Sequence, residues 1–367
     1  MNPLMTVSLF SGCGGSDLGA ARAGAEIIFA NDSNKNAIAT YLKYKHLFAT
    51  DALVTRCDVS GMSNFPRCDL LLGCYPCQSF TMGGRRSPDS DPRSKLYLQL
   101  CRALQISGAK FFVSENVSGL AWLQDGRHLK EQLTSLENTG KGYNISIEIL
   151  NSKDYGVPQD RKRLFLVGVR KDLSIYYHFP QPTHGQGTSQ LPFLSHGDAI
   201  YELMNDPTGE YYHYEKEPFS WWYLSRNRKR PWSEASYTIQ ANWRHNPLHP
   251  SSPTMRLVES NLKDGYKQRW EFTNSYDHLH DSRDLPVFEQ PRRLSWRESA
   301  VIQTFPPNFE PVGSVPSKQE QIGNATPPLL MEAIVKELIN GNGLRAQPYL
   351  PKSNSPARYS QHPDLLP

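Results

Sequence analysis

Two cysteines close an apolar run in "LLGCYPCQSF" (71–80), Cys74 and Cys77. Their spacing suits a redox pair, half of a zinc site, or one nucleophile beside a bystander. Zinc needs two further ligands, and there is no second C-x-x-C; Cys57 and Cys68 could contribute, but at no familiar spacing. A thioredoxin-like pair sits at a helix start after an early strand, with no nucleotide-type turn before it. The third reading puts Cys77 at the carboxyl end of a strand, where open α/β sheets place their sites. Pro76 would stiffen the turn and aim the thiol. A thiol is only slightly ionised at neutral pH, so it needs help from neighbours or substrate.

Other residues of the right type follow the same logic. "FSGCGG" (10–15) is a glycine-rich turn after an apolar run, where backbone can approach a ligand and the next helix offers free amides. Asp32 ends the second apolar run and could accept from both hydroxyls of a ribose. Asp58, in "RCDVS", is placed to end a third strand and meet an adenine amino group. "FFVSENV" (111–117) carries Glu115 and Asn116 out of another apolar run. "QDRKR" (159–163) spaces Arg161 and Arg163 alternately after Gln159, so in extended chain both could face one anion or ring. Each feature alone has a plain structural explanation as a cap, a solvated charge or a basic hairpin edge. Ligand-type features on three successive strand ends favour a nucleoside cofactor.

The elements that must position these groups are legible. Apolar runs at 6–10, 26–32, 69–73 and 110–116 read as strands, with helical patterns at 16–24, 34–46, 94–107 and 126–140 between or after them. Alternating strands and helices imply a mostly parallel sheet with helices on both faces. The runs 143–150 and 163–170 have only a loop between them and read as an antiparallel pair finishing that sheet. After about residue 175, Pro, His, Trp and Tyr become frequent and helical periodicity fades. The range 175–290 reads as a smaller, loop-rich domain. Helical pattern returns at "LSWRESAVIQTF", with capping-box spacing at Ser295 and Glu298, and at "PPLLMEAIVKELING". The last stretch, 343–367, has 5 prolines and no periodicity, so a disordered tail is expected over 346–367.

The whole chain of 367 residues can bury a substantial core, and 38% hydrophobic with 21% charged residues fits a globular protein. No apolar run approaches a membrane span, and "MNPLMTVSLF" has no export signal, so a cytoplasmic protein with reduced thiols is expected. Net charge is only +4, but between Trp221 and Trp270 there are 9 Lys/Arg against 3 Asp/Glu, with 8 aromatics interleaved.

Taken in order, "FSGCGG", "PCQ", "ENV", "QDRKR", "RRLSWRESAVIQTFP" and "QIGNATPP" resemble the motifs of the DNA (cytosine-5) methyltransferases, over about residues 5–340. "GCYPCQ" departs slightly from the glycine- and proline-rich form common in that family, with the Pro-Cys pair intact. The resemblance implies an S-adenosylmethionine-dependent methyltransferase fold plus a smaller target-recognition domain. It implies 1–174 and 320–345 as the catalytic domain, 175–290 as the recognition domain and 291–319 as a bracing segment. Cys77 would attack carbon 6 of a flipped cytosine, Glu115 would hold or protonate nitrogen 3, and Arg161 and Arg163 would steady the base. S-adenosylmethionine would be held by Phe10, Ser11, Gly12, Cys13, Gly15, Asp32, Ser33, Asp58, Val59, Pro76, Leu96, Asn324 and Ala325, with no metal. Double-stranded DNA would meet Gln78 and Ser79 around the flipped base, Arg226, Arg228, Lys229, Arg230, Arg244 and Lys267 on phosphate, and Gln240, Asn242, Arg244 and Arg256 on base edges. The enzyme would act as a nucleoid-associated monomer. Two rivals share part of the pattern. A tRNA cytosine-5 methyltransferase would carry "CFT" where this chain has "WEFTNSYDHLH", and a silent DNA-binding relative would have lost Cys77 or Glu115.

Overall fold

A computed structural model describes residues 3–49, 51–76, 92–204, 219–263, 267–273, 288 and 290–350. Cys77, Gln78 and Ser79 lie outside the described residues, as do 351–367 of the expected tail. The longer elements are, in chain order, β1 (Met5–Leu9), α1 (Gly15–Arg22), β2 (Glu26–Asp32), α2 (Lys35–Tyr44), β3 (Leu53–Arg56), β4 (Leu70–Gly73), α3 (Tyr97–Ser107), β5 (Phe111–Val117), α4 (Arg127–Glu137), β6 (Tyr143–Asn151), β7 (Lys162–Arg170), α5 (His196–Ile200), β8 (Met255–Leu262), β9 (Lys267–Phe272), α6 (Trp296–Ile302), α7 (Val315–Asn324) and α8 (Pro328–Ile339). The chain divides into two compact units.

The first unit comprises Met1–Asn151, Lys162–Pro182 and Thr326–Pro367. Its seven-stranded sheet has the order β3-β2-β1-β4-β5-β7-β6. The pairs β3–β2, β2–β1, β1–β4 and β4–β5 are parallel, as expected, and β7 runs antiparallel to both β5 and β6. The antiparallel strand is last in sequence but lies inside the sheet, with β6 at the edge. β1, β4 and β5 are buried almost throughout because helices cover them, which is why they read as unbroken apolar runs. Val7, Leu71, Phe112 and Leu164 from the sheet pack with Leu100 and Leu133 from α3 and α4. The order reverses direction between β1 and β4, so the loops after these two strands flank the topological switch point. α8 returns to this unit against α1. A Cβ at Gly19 would lie 2.3 Å from the Pro328 carbonyl oxygen, so only glycine permits that approach. Tyr176–Tyr177 pairs antiparallel with Leu344–Arg345, which keeps residues past 175 with the sheet.

The second unit comprises Ser152–Arg161 and Thr183–Ala325. Its described residues hold little regular structure: α5, the antiparallel pair β8–β9, α6, α7 and a two-residue parallel ladder of Gln159–Asp160 on Ser236–Tyr237, besides short turns. The capping box read at Ser295 and Glu298 is formed, and a second joins Ser195 and Asp198. The segment 291–319 belongs to this unit, and α7 runs undivided through residue 320, so the expected boundary there would cut a helix.

With few helices and strands, buried polar groups supply the order here. Arg292 donates twice to Glu298, at 2.8 and 2.9 Å, and His249 Nε2 lies 3.4 Å from the same carboxylate. Burial opposes ionisation of Glu298, but Arg292 and His249 outweigh it and bring the carboxyl down to about 2. Asn246 donates to Leu294 O and to Ser299 Oγ, both at 2.9 Å. Breaking such a buried pair by removing one partner strands a charge, whereas the intact pair mainly fixes one arrangement.

Candidate active site

The turn after β1 is bent by Phe10 and Gly12, both with φ of 56°. That conformation is uncommon for a bulky residue and marks a backbone held by its surroundings. Here the holding groups come from β2. Ser11 N donates to Asn31 O at 3.0 Å, and Gly12 N donates to the Asp32 carboxylate at 2.9 Å. A Cβ at Gly12 would meet nothing within 4 Å, so the turn presents an open face. Cys13 is buried there, and burial pushes its thiol up to about 12. Gly15 opens α1.

Asp32 also accepts from Asn34 N at 2.8 Å, and its partial burial raises its pKa despite these bonds. Ser33 is exposed beside it. Asp58 falls two residues after β3 ends, not on the strand. It is exposed and caps a short turn by accepting from Ser60 N and Oγ, both at 2.8 Å, which holds its carboxyl below the usual range. Val59 is buried under that turn, and Leu96 packs on the core at the start of α3.

The chain leaving β4 runs through Cys74, Tyr75 and Pro76. Tyr75 is buried, donates to Gln132 Oε1 at 2.6 Å, and meets Phe10 edge to face at 6.3 Å between ring centres. Tyr75 and Gln132 were not singled out from the sequence; a glutamine on the buried face of α4 was the available signal. Cys74 Sγ lies 3.5 Å from Ser16 Oγ and accepts from Thr326 Oγ1 at 3.9 Å. Burial first and the Glu115 carboxylate second push its thiol up to about 12. Pro76 is exposed.

One strand over, Glu115 is buried and Arg163 Nε approaches its Oε1 at 3.0 Å. The ladder of β5 on β7 opposes Glu115 to Phe165 and Val117 to Arg163, so the pair is a diagonal cross-strand contact. Among the described residues Glu115 Oε1 accepts no hydrogen bond of good geometry, and buried Asn116 Nδ2 donates none. A buried acid with acceptor capacity left over at a strand end is costly unless a ligand completes it.

Arg161 has other partners. It is buried in the second unit and donates to the carbonyls of Ile239, Gly323 and Ala325 at 3.3, 3.1 and 3.1 Å. The alternate spacing suggested that both arginines face one anion or ring, but in the structure Arg161 is turned to backbone. Asn324 is exposed at the end of α7, and Ala325 follows with its carbonyl also bound by Gln303 Nε2 at 3.3 Å.

The run "RNRKR" (226–230) is not one exposed basic patch. Arg228 is buried over the rings of Trp222 and Tyr223 at 4.5 and 4.8 Å, and Lys229 is buried. Arg230 pairs with Asp160 at 3.1 Å and lies 4.1 Å over Tyr237. Only Arg226 of these cations is exposed. The reason is local: aromatics take up the guanidinium faces that sequence reading assigned to phosphate. Asn242, Arg244 and Arg256 are exposed, Gln240 is partly buried with Nε2 on Thr238 O, and Lys267 is exposed. His245 and His249 have a metal-pair spacing, but no group of three or more candidate metal ligands gathers among the described residues.

The family model for C-5 cytosine-specific DNA methylases matches residues 4–340. The Type II methyltransferase M.BsuRI of Bacillus subtilis is 36% identical over 372 residues, covering 91% of this chain and 79% of the relative. M.FnuDI of Fusobacterium nucleatum is 34% identical over 350 residues, covering 90% and 93%. The solved structure of the Entamoeba histolytica methyltransferase EhMeth is similar in fold, with a TM-score of 0.60 at 15% identity, over 93% of this chain and 99% of that one.

Proposed function

From the chain's membership of the C-5 cytosine-specific DNA methylase family, whose activity is DNA (cytosine-5) methylation, we propose a covalent route through Cys77 with S-adenosylmethionine as methyl donor. The observation that carries it is the buried Glu115–Arg163 pair, with an oxygen left to bind, one strand from the segment that leads into Cys77. Carbon 5 of cytosine is a poor nucleophile. Attack of the Cys77 thiolate on carbon 6 moves electron density to carbon 5 while Glu115 holds or protonates nitrogen 3. Carbon 5 then takes the methyl group, loses its proton, and the carbon–sulfur bond breaks to release Cys77. Arg163 keeps the Glu115 side chain in place and faces the base. The target base must leave the duplex stack to reach these groups.

The chain's first unit fits such a cofactor: an open face over Gly12, an acid at Asp32, an exposed acid at Asp58 beside buried Val59, and partly exposed apolar side chains at Phe10 and Leu96. S-adenosylmethionine supplies an electrophilic methyl group and leaves as S-adenosylhomocysteine. Ser11, Cys13, Gly15, Ser33 and Pro76 complete that surface by resemblance, and Asn324 and Ala325 are assigned on the same ground alone. Residues 175–290 are proposed to recognise the DNA site, and the names of the two Type II relatives favour a role in restriction–modification. Purified protein given methyl-labelled S-adenosylmethionine and duplex DNA is expected to deposit 5-methylcytosine within one fixed sequence, read by bisulfite sequencing. Label entering tRNA and not DNA would overturn this reading.

A further inference from the structure

We propose that His245 is a specificity-determining residue, its imidazole reading the edge of a purine in the DNA site. The proposal rests on the recognition role assigned above to 175–290. His245 ends a short turn, Trp243–His245, that is held from both sides. Asn242 caps it by accepting from Arg244 N at 3.1 Å, and His245 N donates to Asn242 O at 2.9 Å. The next residue, Asn246, is buried and accepts from Gln240 N at 3.2 Å while donating to Leu294 and Ser299. The imidazole lies on the Trp222 ring, 3.9 Å between centres with a tilt of 37°, and stays partly exposed. Trp222 is itself backed by Arg228 at 4.5 Å.

This is a side chain fixed before any ligand arrives, which spares the ordering cost of binding. Its surroundings also set its chemistry. Partial burial, then the guanidiniums of Arg228, Arg293, Arg226 and Arg244, push its pKa down to about 4. At neutral pH the ring is therefore uncharged, with one donor and one acceptor nitrogen. An uncharged ring adds nothing to phosphate attraction. Uncharged and held in place on Trp222, it is suited to an edge that sequence varies, such as the N7 acceptor of a purine in the major groove. Exposed Arg226 and Arg244 beside it supply the sequence-independent attraction.

The test is selection of bound duplexes from a randomised library, with wild type, His245→Ala, His245→Gln and Arg226→Ala, alongside melting curves and salt-titrated binding to unrelated DNA. His245→Ala is expected to lose preference at one purine position by roughly 5- to 150-fold, with its salt dependence and melting temperature unchanged. His245→Gln, which keeps a donor and an acceptor, is expected to recover part of it. Arg226→Ala is expected to weaken binding to all DNA and to flatten the salt dependence. An unchanged site in His245→Ala overturns the proposal. So does loss at every position with a lowered melting temperature and no recovery by glutamine, because that marks a structural role. Selection needs no methyl transfer, so absence of 5-methylcytosine with intact selection would count against the catalytic reading alone.

Discussion

Cys77→Ser is expected to cut methyl transfer by roughly 10⁴- to 10⁶-fold, the scale on which an enzyme loses rate when its nucleophile is removed. Melting temperature and S-adenosylmethionine binding are expected to stay near wild type. The matched control is Cys74→Ser, which is expected to keep turnover. Cys74 is a poor nucleophile: burial and the nearby Glu115 carboxylate hold its thiol at about 12, so almost none is thiolate at neutral pH. Its contacts are with Ser16 and Thr326. The measurement is single-turnover methylation of duplex DNA by all three proteins. Equal loss in both variants would revive the paired-cysteine reading.

Glu115→Gln is expected to lower the methylation rate by roughly 10²- to 10⁴-fold, the usual weight of a positioned acid–base group. The amide keeps the size of the side chain, so packing in β5 is preserved. What changes is the acid: Arg163, only 15% exposed, loses its carboxylate partner, and the group proposed to hold or protonate nitrogen 3 becomes an amide. Some stability is expected to go with it, which denaturant melts separate from the catalytic effect. The Michaelis constant for DNA should move far less than the turnover number, because DNA is held at many other points. Wild-type turnover in Glu115→Gln would remove this residue from the mechanism.

Sequence alone carried the first unit well because its strands are buried on both faces. Such strands read as plain apolar runs, and the residues that leave each run stand at the sheet's carboxyl edge. Asp32 and Glu115 were placed this way, and the antiparallel pairing of 143–150 with 163–170 followed from the absence of a crossover helix between them. Asp58 missed its strand end by two residues because β3 is short, and its side chain ends that strand by capping the next turn.

The second unit was legible in composition but not in geometry. Sequence reading saw nine basic residues among aromatics and assigned "RNRKR" to phosphate. Burial depends on which faces meet, and no periodicity encodes that in irregular chain. Arg228 went under Trp222 and Tyr223, Arg230 onto Tyr237 and Asp160, and Arg161 onto three carbonyls. His245 emerged only from its position on Trp222, far apart in sequence. By contrast the capping box at Ser295 is a local signal, and it was read correctly.

The covalent route through Cys77 is tested most directly with duplex DNA carrying 5-fluorocytosine at the methylated position. Once carbon 5 holds both fluorine and the new methyl group, no proton remains there to remove, and elimination of the cysteine stalls. A protein–DNA band that survives denaturing electrophoresis is expected, formed by wild type only with S-adenosylmethionine present and absent from Cys77→Ser. No such band from wild type, on a sequence whose ordinary cytosine it methylates, would contradict the covalent mechanism.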